Sequence, residues 1–412
     1  MRKIYTILII IISITLIAFL WWYLLLREKN IPTTEIIRDI LPFGTGEDIN
    51  IGTLPLGDIG SGSIETTSFD QFGIPIVNLF RISNTPVAGT LVLNRNNQTV
   101  VRYVDRGTGH IYDVALPSSA SSTPLDKIKV TNNTLPKIYE AYFRPDGNAV
   151  LLRSLKGDSD VVENLSLTLT QPKSTSTLYT VSSTALRGDI NSVTVGSGNT
   201  LFYSLRDTSS IVSSAFNGTG SRTLLNSPFN DWQLAIAGNN LFIHTKASSQ
   251  ASGYAYTLNT SGGTLKKILG PLNGLTIKPN ASGSKVLYSY MNGNEIKLVA
   301  KNLSSQTLSE ISPATLSEKC IWSIKNVDVF FCGVPYNKIS NAEPENWYMG
   351  ATHFSDNIWL FNTKTETKQV LVEPKTSLGI DIDVMEPKLS SDENYLIFIN
   401  KNDLTLWAFR LP

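Results

Sequence analysis

The run TVVRY at Thr99–Tyr103 decides how the rest of the chain is read, because its character returns six more times. AVLLR stands at Ala149–Arg153, TLFYS at Thr200–Ser204, NLFIH at Asn240–His244, KVLYS at Lys285–Ser289, DVFFC at Asp328–Cys332 and YLIFI at Tyr395–Ile399. Each is a short apolar run without the alternation of a half-exposed strand, as expected of a strand covered on both faces. Between first residues the spacings are 50, 51, 40, 45, 43 and 67 residues. A recurrence at about 40–50 residues is the period of a four-stranded propeller blade.

The neighbourhood of each run completes a blade. A turn precedes it, as at Asn96-Asn97, Pro145-Asp146-Gly147, Gly238-Asn239 and Asp392-Glu393. An inner strand comes before the turn, such as Ile138–Phe143 or Asp231–Ala235, and a third strand follows the run, such as His110–Val114 or Glu295–Ala300. Fourth strands are predicted at Arg222–Leu225, Leu265–Leu269 and Lys368–Val372. The count is least marked in blade three's outer strand and near Ser174–Thr184. The reading is all-β: a seven-bladed propeller over residues 76–412. A β-sandwich array is the rival, but sandwich strands do not recur as quartets.

The ends carry a prediction of their own. Blade seven shows three strands and then Pro412, while Val77–Ile82 (VNLFRI) is a strand without a blade. Pairing the two closes the ring and removes the free edges that invite aggregation.

Two turns carry a family resemblance. Phe143-Arg144-Pro145-Asp146-Gly147 and Leu389-Ser390-Ser391-Asp392-Glu393 resemble the SPDG turn of bacterial TolB-like, WD-type propeller repeats. The likeness covers these two blades well and the other five by pattern alone. No Gly-His…Trp-Asp signature of the eukaryotic type is present. The resemblance implies a propeller outside the cytoplasm used for protein contacts, although a shared fold carries little functional weight.

Ile4–Leu26 is a run of 23 residues without a charge. As a helix it would be about 34 Å long, enough to span a bilayer. Trp21, Trp22 and Tyr23 suit the membrane boundary, and Arg2 and Lys3 favour a cytoplasmic N-terminus. Leu24-Leu25-Leu26-Arg27 offers no small-residue cleavage site, so residues 1–29 are predicted to be an uncleaved single-pass anchor. Residues 30–75, rich in Gly and Pro, read as a flexible linker, which puts the propeller on the extracytoplasmic side.

Composition narrows the function. The 412 residues are 42% hydrophobic and 17% charged, with a net charge of +1. Nucleic acid is not expected as a partner, since phosphate binding needs clustered Lys and Arg. Three histidines and two cysteines leave little for a metal centre or a thiol enzyme, and no cofactor is expected.

Cys320 and Cys332 flank one hairpin in CIWSIKNVDVFFC, with the turn centred on Asn326. On adjacent antiparallel strands they would face each other within disulfide reach. The long spacing from blade six to seven reflects an insert between Val334 and Asn357, on the face where the channel opens. Its Tyr336, Trp347, Tyr348, Met349, His353 and Phe354 are residue types enriched at binding surfaces. The alternative is that they fold back over the channel or a neighbouring blade. Inner strands beginning near Glu140, Asp189, Asp231, Glu318 and Asp383, with Glu386 further along, could set carboxylates from five of the seven blades at the channel mouth. Asp105 and His110 bracket a Gly-rich turn read as a hairpin with a local Arg–Asp contact. Asn-x-Ser/Thr triplets such as that at Asn97 are expected by chance in a chain this rich in Asn, Ser and Thr.

Two functions follow. The first is a non-enzymatic protein-interaction scaffold in a cell-envelope or surface assembly. The second is a carbohydrate-binding or glycan-hydrolysing propeller, which would need carboxylates converging in the mouth.

Overall fold

The computed structural model describes residues 78–117, 125–157, 161–173, 178–337, 339 and 342–412, all within the compact unit Ile64–Pro412. The predicted anchor over 4–26 and the linker over 30–75 lie outside the described residues. Among those described, no helix is long and apolar enough to cross a membrane.

Twenty-eight strands form seven four-stranded antiparallel sheets, each built from consecutive strands except the last. The recurring runs are the second strands, and they are buried almost throughout. Gln98–Asp105, for example, is exposed only at its first residue, and Tyr395–Asn400 not at all. Apolar side chains on both faces of each sheet pack against the sheets to either side. The core is therefore seven layers, one between each pair of neighbouring blades. The layer between blades seven and one joins Tyr395, Ile397 and Leu406 to Val101, Tyr103 and Val114.

Closure follows the predicted route, with a shorter strand. Leu79–Arg81 lies outermost on blade seven, antiparallel to Thr405–Arg410, with Leu79 opposite Phe409 and Arg81 opposite Trp407. Leu79 and Phe80 are buried, so the closing strand contributes apolar contacts as well as ladder bonds. Blade two's outer strand proves to be Thr180–Leu186, inside the poorly marked stretch.

Polar side chains also bridge blades. Arg102 is wholly buried, forms a two-pronged pair with Asp113 at 2.7 Å on each arm, and donates at 2.7 Å to the Gly147 carbonyl of blade two. Arg153 repeats the device one blade on, donating to Glu140, Asn164 and the Ile190 carbonyl of blade three. Arg102 thus pairs with Asp113 on the third strand, outside the 101–110 segment in which a local Arg–Asp contact is expected. Asp105 instead accepts from Thr85 and from the backbone and hydroxyl of Thr108.

Cys320 and Cys332 are register partners and are disulfide-bonded, with Cα atoms 4.1 Å apart. The bond joins the inner and second strands of blade six, at the base of the insert.

Candidate functional site at the channel mouth

In a blade of four antiparallel strands, the inner strand begins on the same face where the second strand ends. The blade connections and the second-to-third loops therefore open together, around one mouth of the channel. The blade-six insert is the long member of this set, and its side chains divide between two tasks.

Half of the insert is anchored inward. A one-turn helix, Glu345–Met349, ends on Gly350, whose positive φ of 75° suits a residue without Cβ. The Glu343 carboxylate accepts from the Trp347 backbone N–H at 2.8 Å. Glu345 Oε1 accepts from the backbone N–H of Ser249 at 2.5 Å and its hydroxyl at 3.2 Å, reaching the second-to-third loop of blade four. Trp347 and Phe354 are buried with Leu316 and Ile339 in a small core of their own. These two of the six expected surface residues are thus corrected: they fasten the insert. Asn402 of blade seven donates to the Phe354 carbonyl at 3.3 Å.

The other half faces out. Tyr336 is 70% exposed and Met349 72%; Tyr348 and His353 are exposed as well. Tyr348 also turns its hydroxyl to Glu318, donating to Oε2 at 2.6 Å.

Beneath the insert lies a buried ionic cluster. Lys319, Asp356 and Asp383 are inaccessible to solvent, and Lys319 Nζ pairs with Asp356 Oδ2 at 2.7 Å and with Asp383 Oδ1. Asp383 also accepts from Trp347 Nε1 at 3.0 Å and from the Phe354 N–H at 3.1 Å. Its expected place at an open mouth is therefore corrected, because the insert covers it. Burial, with Asp383 nearby, pushes the Asp356 carboxyl up to about 6 despite the Lys319 ammonium.

Three more of the expected carboxylates, Glu140, Asp189 and Asp231, are partnered. Glu140 accepts from Arg153 at 2.6 Å and from the Tyr142 hydroxyl at 3.1 Å. Asp189 holds Arg187 at 2.5 and 2.7 Å, and exposed Asp231 accepts from Asn191 at 3.1 Å. No ring of free carboxylates forms from these four.

What gathers toward the axis instead is a mixed set: Glu140 and Tyr142 from blade two, Lys278 from blade five, Glu318 before blade six, and Glu386 and Lys388 from blade seven. Burial lowers the ammonium groups of Lys278 and Lys388, against the pull of Glu386 on both and of Glu318 on Lys278. Desolvation by the surrounding walls raises the carboxyls of Glu318 and of Glu386, the latter itself solvent-exposed, against Lys278 and, for Glu386, Lys388. Glu386 is held at a positive φ of 50°, within the register shift of the inner strand Val384–Leu389. A non-glycine residue there carries a backbone cost that surrounding structure must hold. Lys278 and Lys388 escaped the sequence reading. Period-two alternation along TIKP and VMEPKL, with one residue in two directed at the axis, is the signal that finds them. Among the described residues no group of three His, Cys, Asp or Glu is placed to hold a metal ion.

No family model matches the chain, and no curated protein does. Solved structures do. An oligogalacturonate lyase in complex with manganese superposes with a TM-score of 0.50 at 11% identity, over 84% of this chain and 94% of that one. Virginiamycin B lyase from Staphylococcus aureus gives 0.48 at 12% identity, over 81% and 98%. TolB from Acinetobacter baumannii gives 0.40 at 13% identity, over 72% and 64%. At such identities the likeness is one of fold. The expectation that the chain is not an enzyme is nevertheless corrected, because an oligogalacturonate lyase is built on a propeller of this form. What the structure and its neighbours establish together is an all-β, seven-bladed β-propeller closed by its N-terminal strand.

Proposed function

We propose that the chain is a membrane-anchored, extracytoplasmic propeller that docks a protein partner of the cell envelope on its mouth face. The observation that carries this reading is the insert. The Glu345 carboxylate ties it to blade four and the Phe354 carbonyl to blade seven, while Tyr336, Tyr348 and Met349 stand exposed on it. Apolar and aromatic side chains held ready on a fixed support lose little freedom on binding, which is where interface energy concentrates. The Ile4–Leu26 run supports a single-pass anchor with its N-terminus in the cytoplasm. The Cys320–Cys332 bond supports an oxidising compartment.

The test places a photo-crosslinking amino acid at Tyr336 or Met349 of the full chain in its native cells, with Leu308 as an exposed control remote from the insert. One discrete protein adduct from the insert positions and none from Leu308 is the expected result. Equal labelling at all three positions, or glycan adducts alone, overturns the docking face.

A further inference from the structure

We propose that Lys319 and Asp356 are joined in the mature protein by an intramolecular amide bond, with Asp383 as the proton relay that makes it. The bond would close the base of the insert inside blade six.

The geometry supplies what the condensation needs. Lys319 Nζ lies 2.7 Å from Asp356 Oδ2, and its second carboxylate contact is Asp383 Oδ1. The Trp347 ring lies 5.1 Å from Nζ and the Phe354 ring 4.9 Å. All three ionisable side chains are fully shielded from solvent. Reactants are thus held together in a dry site, where positioning replaces a bimolecular encounter. Three charges buried together are costly, and each must be desolvated before pairing repays it. Condensation removes two of them.

The two oxygens of Asp356 differ in a way that fits the reaction. Oδ2 accepts from the Val384 backbone N–H at 2.7 Å. Oδ1 is buried and has no hydrogen-bond partner among the described residues. The N–H at Oδ2 polarises the carbonyl and stabilises charge developing on that oxygen as Nζ attacks Cγ. The unpartnered Oδ1 is the oxygen free to leave. Burial raises the Asp356 carboxyl to about 6, which favours the protonated, attackable form. Asp383 is held by Trp347 Nε1, by the Phe354 N–H and through its own backbone N–H, which donates to Asn400 at 2.8 Å. It is fixed in place as a relay rather than as an electrophile.

The step balances without any further reagent. The Nζ–Cγ bond forms and the Cγ–Oδ1 bond breaks. Two of the three ammonium protons pass by way of Asp383 to Oδ1, which departs as water, and the third remains on the amide nitrogen. Nothing is oxidised or reduced. Gly333 makes room for this arrangement, since a Cβ there would lie 2.5 Å from that of Val384 and 2.8 Å from Asp356 Oδ2.

The test is peptide mapping of the purified full chain after denaturation and reduction. Trypsin does not cut at an amidated lysine. The expected product is a branched peptide joining 302–325 to 339–364, lighter than its parts by one water and unaffected by reductant. Linear peptides ending at Lys319 from the folded wild-type chain overturn the proposal. Asp356→Ala should give only linear peptides, and a branch surviving there overturns Asp356 as the partner. Asp356→Asn should return a branch of the same mass as wild type, because the amide then forms with loss of ammonia. Its failure in a folded variant overturns the assignment of Cγ as the site of attack. Asp383→Asn should lose the branch while keeping its circular dichroism spectrum, and a retained branch overturns the relay.

Discussion

Trp347→Ala tests whether the insert is fastened by the larger of the two aromatic residues it buries. The Trp347 ring is nearly inaccessible, packs on Leu316, Ile339 and Phe354, and donates to Asp383. Truncating a buried Trp to Ala costs about 3–5 kcal/mol. The lost charge-assisted bond adds toward the low end of about 1.5–3 kcal/mol, since Asp383 keeps Lys319 and the Phe354 N–H as donors. The small core beneath the insert holds only four fully buried residues, so a loss of this size exceeds what the remainder supplies. The insert should open locally while the blades hold, because local units unfold with free energies of their own. Hydrogen exchange reads this directly. The Tyr348 amide donates to the Pro344 carbonyl, and the Ala351 and Thr352 amides to Asn346. Their exchange should accelerate by about three to five orders of magnitude, at roughly 1.4 kcal/mol per decade. Amides of Val329–Pro335 in the blade should stay within a factor of a few. Trp347→Phe keeps a ring and loses the donor, and should show a far smaller effect. Unchanged exchange at these three amides refutes the fastening argument, and equal acceleration in the blade shows that Trp347 belongs to the propeller core instead.

Three further outcomes are expected. Arg102→Met removes the cation from a buried pair and strips the Gly147 carbonyl of its donor, so chemical denaturation should show a loss of about 3–5 kcal/mol; a loss under about 1 kcal/mol would show Arg95 to be a sufficient partner for Asp113. Leu79→Asp puts a charge in the layer under the closing strand, and light scattering should show the monomer giving way to oligomers through the freed edge of Thr405–Arg410. An unchanged monomer would refute closure by this strand. His244 is buried and its imidazole is pulled down from 6.5 to about 4, so it stays neutral in the fold while the unfolded chain takes up a proton. Its stability contribution is whole above 6.5 and falls away as pH drops toward 4, by about 3 kcal/mol; His244→Phe should flatten that part of the pH–stability curve.

The second strands are legible because burial on both faces removes every polar choice, which leaves runs such as YLIFI. Outer strands face solvent, and Thr180–Leu186 (TVSSTAL) carries no apolar signature, so its place shows only in the ladder to Val162–Thr170. The facing cysteines are legible for a local reason: a symmetric hairpin sets register by counting. The insert is legible as excess length, but not the division of its aromatic residues. Trp347 turns inward because Asp383, 36 residues further along the chain and on the next blade, offers its indole an acceptor. Asp383 looks like a strand-end carboxylate for the same reason, since its partner Lys319 lies 64 residues away. Glu386 is legible as a carboxylate further along its inner strand, whereas Lys278 and Lys388 show only in the alternation of the inner strands, one residue in two facing the axis.

These particulars bear on why the insert of blade six can display exposed side chains on a fixed support. An interface element gains affinity by being ordered before it binds, and order must come from what it stands on. Blade six joins its inner and second strands through Cys320–Cys332, and its third strand begins at Asp356, which Lys319 holds from the residue beside that disulfide. The insert leaves the second strand at Pro335 and returns at Asp356, so both of its ends are fixed within the same cluster. Its middle is fixed by Glu345 on blade four and by the Phe354 carbonyl on blade seven. Tyr336 and Met349 lie outside all of these ties. If the insert served only to cover Lys319 and its carboxylates, Trp347 and Phe354 would suffice, and exposed apolar side chains would add solvation cost with no return. Their exposure on a segment secured at its ends and its middle is what the docking reading explains and a purely structural lid does not.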